Sequence, residues 1–237
     1  MAIEIVSLQA SYKSDGEGVD AFLSRPAGLG PWSAVITIHE IWGLDDHTRD
    51  VTRRLAAEGF VALAPDLYHG KVTSDFGEAR RLRATVDLDQ AVREINAGIP
   101  YLRSLPFTSE KIGVMGFCMG GGLAFLAACR STEFSVAATY YPTIQPSAEQ
   151  IANLACPLLI HYGTADAVTP MSEMERIIRD LEEKSKSHEL HFYQGAAHAF
   201  ANERGDLYRR EAAETSWRRT LEFLRRHLGG EGSRSVR

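Results

Sequence analysis

The stretch that most constrains this chain runs from Lys111 to Cys129. Lys111-Ile112-Gly113-Val114-Met115-Gly116 is an apolar run of strand length, and Leu123 to Cys129 is an apolar run of helical composition. Gly116-Phe117-Cys118-Met119-Gly120-Gly121-Gly122 joins the two with almost no loop. A strand that opens directly into a helix is the repeating step of α/β architectures, in which each helix carries the chain back to start the next parallel strand. So tight a turn needs small residues two before and two after its centre, because a β-carbon there meets the opposing backbone. Gly116 and Gly120 occupy those places. Cys118 is thereby set at a helix N-terminus, where unpaired N–H groups and the helix dipole favour thiolate over thiol.

The rest of the chain repeats the step. Residues 3–9 and 19–24 carry short strand patterns separated by Ser14-Asp15-Gly16-Glu17-Gly18, and predict an opening antiparallel hairpin. Ser33 to Ile38 is a β-branched run suited to burial on both faces of a parallel sheet. It ends in His39-Glu40-Ile41-Trp42-Gly43-Leu44, after which Asp45 or Asp46 caps a helix over about 47–58, closed by Gly59. A strand at 60–64 and the loop Pro65 to Gly70 follow. The apolar spacing then predicts one long helical region from about Phe76 to Leu102, broken or kinked by Gly98 and Pro100. Beyond the turn at Cys118, strands are expected at 135–141, 157–163 and 190–193, and helices at 171–184 and about 206–228. The pattern predicts an α/β fold with a mostly parallel central sheet and helices on both faces, in one domain over 1–228 with a frayed Gly/Ser/Arg-rich tail at 229–237.

Composition narrows the function. A formal charge of -5 and scattered basic pairs offer no field for nucleic acid. No apolar stretch approaches the roughly 18 residues of a membrane span, and the N-terminus lacks the basic start and apolar core of a signal peptide. Three cysteines without close spacing make neither a disulfide framework nor a Cys-x-x-Cys metal knuckle, which fits a reducing cytoplasm. No histidine pair has the spacing of a zinc site. Oligomeric state is not encoded in any feature of this kind.

A thiol nucleophile needs a base, and the base an orienting group; in elbow-bearing enzymes these follow in the order nucleophile, acid, histidine. Asp166 lies in Gly163-Thr164-Ala165-Asp166, just past the 157–163 strand, where an Asx turn or a helix cap is the competing reading. His198 lies in Gly195-Ala196-Ala197-His198-Ala199-Phe200, on a small-residue loop after the 190–193 strand. His39 and His69 also leave strand ends but precede the nucleophile. Cys129 and Cys156 sit beside apolar runs and read as packing residues. Three candidates in the right order, each on a loop at the same end of a strand, point to Cys118, Asp166 and His198 as one catalytic set. An exposed reactive thiol would also suit a redox sensor, though no resolving cysteine lies close in sequence.

Gly-x-Cys-x-Gly-Gly, Gly-x-x-Asp and Gly-x-x-His-x-Phe, with His39-Glu40-Ile41-Trp42-Gly43-Leu44 and Ala64-Pro65-Asp66-Leu67-Tyr68, resemble the dienelactone hydrolase (carboxymethylenebutenolidase) family of the α/β-hydrolase fold. The similarity runs from about residue 5 to 226. It implies a hydrolase of small ester or lactone substrates with a Cys118-Asp166-His198 triad, and Glu40 as a residue that holds or receives the thiol proton at rest. It further implies an oxyanion hole of the Ile41 and Met119 N–H groups, and no metal or organic cofactor. Dienelactone-specific members grip a substrate carboxylate with arginines, one shortly after the histidine. Here Asn202 stands at that place, and Arg81 or Arg83 is left to supply a cation. Trp42, Tyr68, Tyr141 and Phe200 would line an apolar pocket for aryl or alkyl esters, or for a phosphotriester, or else pack in the core.

Overall fold

The computed structural model describes residues 3–229; the tail proposed at 229–237 lies almost wholly outside them. The chain opens on β1 (Ile5–Ser14) and β2 (Glu17–Pro26), an antiparallel pair longer than the sequence pattern suggested. Asp15 and Gly16, with φ of 50° and 88°, form the two-residue turn whose left-handed geometry matches strand twist. β3 (Trp32–Ile38), α1 (Asp46–Ala57) and β4 (Val61–Pro65) follow as expected, and Asp45 caps α1 by accepting from the Thr48 N–H at 3.0 Å.

The long helical region is two helices, α2 (Phe76–Ala84) and α3 (Leu88–Ser104), and the break is not at Gly98 or Pro100. It falls at Thr85–Asp87, where the Asp87 carboxylate accepts from the N–H groups of Asp89 and Gln90 and starts a new helix. Pro100 is exposed and α3 continues through it, because Ala91, Val92, Ile95, Ile99 and Leu102 bury a continuous stripe that outweighs one missing hydrogen bond. Gly98 serves packing: a β-carbon there would stand 2.9 Å from Ile36 Cδ1, so α3 lies close on β3.

β5 (Thr108–Phe117) then leads into α4 (Met119–Cys129), followed by β6 (Val136–Tyr140), β7 (Leu158–Gly163), α6 (Met171–Glu183), β8 (His188–Tyr193) and α7 (Arg210–Leu228). The pattern reading missed α5 (Ala148–Ala152), although Ser147 and Gln150 form a reciprocal capping box at its start. The eight strands form one sheet in the order β1-β2-β4-β3-β5-β6-β7-β8, parallel from β4 to β8 and antiparallel at the β1-β2 and β2-β4 pairings. β4, β6 and β7 are buried along their whole length, as strands covered on both faces must be. The segments holding Glu40, Cys118, Tyr141, Asp166 and His198 leave the carboxyl ends of β3, β5, β6, β7 and β8, so parallel pairing brings all five to one rim.

Candidate active site

The elbow at Cys118 is the tight turn that the sequence implied, and it carries backbone strain. Its φ of 54° and ψ of -117° lie in a region that side chains other than glycine rarely adopt, at a cost of about 1–3 kcal/mol. Neighbours hold it there. The Cys118 N–H donates to the Tyr140 carbonyl at 3.0 Å, and the Cys118 carbonyl accepts from Gly122 and Thr143, each at 3.2 Å. A β-carbon on Gly116 would stand 2.1 Å from the Gly120 carbonyl oxygen, and one on Gly120 would stand 2.4 Å from the His39 carbonyl oxygen. Both glycines are therefore demanded by contact rather than by composition.

The Cys118 sulfur is 7% exposed as part of its residue and lies 3.1 Å from His198 Nε2. His198 Nδ1 lies 2.8 Å from Asp166 Oδ2. Since the Asp166 carboxylate only accepts, Nδ1 carries the proton and Nε2 faces the sulfur. Asp166 uses its other oxygen, Oδ1, to accept from the N–H groups of Val168 and Thr169 at 2.8 and 2.9 Å. The one side chain thus both closes an Asx turn and contacts His198 Nδ1. Burial opposes a charge on His198, yet the hydrogen bonds to Asp166 and Cys118 outweigh it, and the imidazole is pushed up to about 10.

Around this relay the other candidates fall into place unequally. The N–H groups of Ile41 and Met119 have no acceptor among the described residues, and Met119 opens α4 directly after Cys118. Tyr68 is buried and donates from its hydroxyl to the Met119 sulfur at 3.4 Å. Tyr141 is fully buried, with its ring centre 5.0 Å from that of His198. Phe200 is also fully buried and packs behind Tyr141, with ring centres 5.3 Å apart. Trp42 is half-buried on a groove of about 830 Å³. Leu44 and Val72 also line that groove, along with Asn202, Asp46, Arg204 and Asp206. Exposed Phe76 tilts against Trp42 at 6.3 Å between ring centres. Arg81 is exposed and folds back along α2 towards Gly77, whereas the charge of Arg83 acts on the Tyr68 hydroxyl.

Glu40 is 3% exposed and accepts at Oε2 from Asn202 Nδ2 at 2.6 Å; its Oε1 is buried without a partner. Burial pushes its carboxyl up, against the pull of His47, Asn202 and His198. His47 was not anticipated. It reads in sequence as the polar first turn of a helix, but α1 turns it inward to 2% exposure, edge-on to the Phe117 ring, with Nε2 unpartnered. No signal in the linear sequence marks it, because its burial depends on how α1 packs against the elbow. Among the described residues no group of three or more His, Cys, Asp or Glu is placed to hold a metal ion, and no helix is long and apolar enough to cross a membrane.

Comparison with known proteins identifies relatives of this chain. Residues 19–228 match the model of the Dienelactone hydrolase family. The chain is 30% identical over 246 residues to the "Probable 2-oxo-3-(5-oxofuran-2-ylidene)propanoate lactonase" of Bradyrhizobium sp, covering 98% of this chain and 99% of that protein. It is 34% identical over 254 residues to the "Putative carboxymethylenebutenolidase" of Saccharolobus solfataricus, covering 91% of this chain and 96% of that protein. The crystal structure of a "Putative Dienelactone Hydrolase" from Klebsiella pneumoniae superposes with a TM-score of 0.88 at 28% identity, covering 93% of this chain and 98% of the other.

Proposed function

Because this chain belongs to the dienelactone hydrolase family and is an ester or lactone hydrolase of the α/β-hydrolase fold, we propose that Cys118 is its nucleophile and that turnover passes through an acyl-thioester. The observation that carries the proposal is the unbroken relay of 3.1 Å from sulfur to His198 and 2.8 Å from His198 to Asp166. The sulfur of Cys118 attacks the ester carbonyl, a C–S bond forms, and the carbonyl π electrons move to oxygen. The N–H groups of Ile41 and Met119 hold that oxyanion, each such donor contributing about 2.7–4 kcal/mol. Collapse of the intermediate breaks the C–O bond, and the leaving alkoxide takes the proton from His198 Nε2. Water then gives a proton to His198, attacks the thioester and releases the acid, returning the sulfur as thiolate. Asp166 keeps the imidazole in the one tautomer that can do both.

The groove beside Asn202 presents Trp42, Leu44 and Val72 among mostly polar residues, which supports small acyl or leaving groups. Asn202 stands where the resemblance implies an arginine, and Arg204 in the same groove is paired with Asp46 and Asp50, which favours neutral aryl and alkyl esters and extends the reading to a neutral phosphotriester. One sheet running unbroken from β1 to β8 supports reading 1–228 as one domain. The test is Cys118→Ala on a panel of a dienelactone, graded aryl esters and a phosphotriester, with mass spectrometry of the quenched wild-type enzyme. Turnover is expected to vanish in the variant and an acyl adduct to map to Cys118. Full esterase activity in Cys118→Ala would sink the proposal.

A further inference from the structure

A second cavity lies beside the catalytic corner and takes no part in the relay. Asp87 caps α3, and Gln90, Ala91 and Glu94 follow it at i+3, i+4 and i+7, so all four share one face of that helix. This face, with Leu82, Thr85 and Val86 where α2 ends and the loop after β4, encloses about 260 Å³. None of Cys118, Asp166 and His198 lines the space. The loop is a firm wall between the two places. Asp66 accepts from the Tyr68 N–H at 3.0 Å and from the Gly70 N–H at 2.7 Å, and the Leu67 N–H donates to His39 Nε2 at 3.2 Å. Tyr68 closes the wall by donating to the Met119 sulfur at 3.4 Å.

Glu94 is what makes the cavity more than a packing defect. The residue is only 5% exposed. Its Oε1 accepts from Gln90 Nε2 at 2.8 Å, and His69 Nε2 stands 3.6 Å from the same oxygen. Its Oε2 accepts no hydrogen bond among the described residues, yet it is not sealed in the interior as the free Glu40 oxygen is, so it opens on the cavity that Glu94 lines. A carboxylate oxygen so nearly removed from water calls for a donor. Lys71 lines the same space but pairs with neither Glu94 nor Asp87 among the described residues. Apart from His69, two carboxylates and one lysine line the cavity, a surplus of one negative charge. The acidic and histidine side chains there are not placed as a metal-holding group.

We infer that this cavity is a second binding site, which takes a small primary ammonium ion with a short hydrocarbon body. The ammonium group donates to Glu94 Oε2 and to the Gln90 amide oxygen, which accepts no hydrogen bond among the described residues. Its charge offsets the surplus of the lining, and hydrogen bonds from a cation to a carboxylate are the strong ones. The hydrocarbon lies against Leu67, Leu82, Val86 and Ala91. No bond is made or broken there. The inference does not rest on Cys118 being the nucleophile.

The test reads binding and not turnover. Amide proton–nitrogen NMR spectra of the full chain are followed while n-butylammonium chloride is added, with n-butanol and sodium chloride as controls. Saturable shifts centred on residues 67–71 and 85–94 are expected with the ammonium ion and with neither control. Glu94→Gln keeps the shape and removes the charge, and is expected to weaken binding about 10–100-fold, the loss of one charge-assisted hydrogen bond. Thr85→Trp, at an exposed position on the rim, fills the space without touching the Glu94 contacts and is expected to abolish the shifts. Absence of saturable shifts in the wild type, an equal response to the alcohol, or binding that survives unchanged in either variant would overturn the inference. So would shifts centred on Trp42 and Asn202, which would put the ion in the groove instead. Should Glu94→Gln fail to fold, Thr85→Trp decides alone. Failure here leaves the Cys118→Ala test of the hydrolase mechanism standing, and the reverse.

Discussion

His198 and His161 are both buried, both hydrogen-bonded at two nitrogens, and both carried by the parallel half of the same sheet or the loops that leave it, yet they are held in opposite states. His161 Nδ1 meets the Tyr193 hydroxyl at 2.8 Å, and its Nε2 meets Thr220 Oγ1 at 2.9 Å. Arg219 donates to the Tyr193 oxygen at 3.3 Å, so the Tyr193 proton is free to go to His161 Nδ1, and Nε2–H donates to Thr220. Burial, with His191 and Arg219 nearby, drives His161 well below its ordinary value, and it stays neutral. Burial acts on His198 in the same direction, but a carboxylate and a thiol as partners reverse the result. What separates the charge states of the two histidines here is the charge their partners can carry, not how deep they lie or how many bonds they make.

The comparison can be broken from the reactive side first. Asp166→Asn keeps an Oδ1 for the Val168 and Thr169 N–H groups but removes the charge from Nδ1, leaving His198 with neutral support like that of His161. Ester turnover is expected to fall about 10⁴-fold, by analogy with loss of the orienting carboxylate in a serine triad, and stability near neutral pH to fall as the support that raises His198 is lost. Steady-state kcat/KM beside a thermal melt checks both halves, and a variant that retains wild-type turnover would remove Asp166 from the mechanism.

From the structural side, Thr220→Val strips the shared partner of His161 and Tyr140, whose hydroxyl lies 2.6 Å from Thr220 Oγ1. A buried polar group left unpaired costs about 1–3 kcal/mol. The urea midpoint is expected to drop accordingly, while the pH profile of turnover keeps its shape.

The smallest effect is the most diagnostic. His161 is neutral in the folded chain, so the unfolded chain binds the extra proton below its ordinary value of about 6.5, and stability falls as the pH is lowered through that range. His198 has the reverse linkage. Its contribution is complete below the unfolded value and is lost as pH rises towards about 10. Each slope is bounded by about 1.4 kcal/mol per pH unit. Unfolding free energy should therefore crest near neutrality. Asp166→Asn is expected to flatten the alkaline side alone and His161→Phe the acid side alone; if either variant flattened both, the two histidines would not be independent.

Much of the reactive corner was legible because its parts are local. The glycines around Cys118 follow from a turn that admits no β-carbon, and that constraint is written within five residues. Asp166 and His198 each follow a buried strand, so their shared rim follows once the sheet is parallel. The break between α2 and α3 was misplaced because Gly98 and Pro100 are strong breakers by local rule, while the buried stripe of α3 holds the helix through them and the Asp87 cap supplies the true start.

By itself the sequence determined the alternation of strands and helices, the tight elbow at Cys118 and the placing of Asp166 and His198 just after strands, because each depends on residues close along the chain. The tertiary structure decided the partners. It brought Asn202 to Glu40 across 162 residues and Tyr193 to His161 across 32, and turned His47 inward. A side chain's charge state is set by what burial leaves around it, and burial is a property of the packed sheet and helices rather than of any segment read alone.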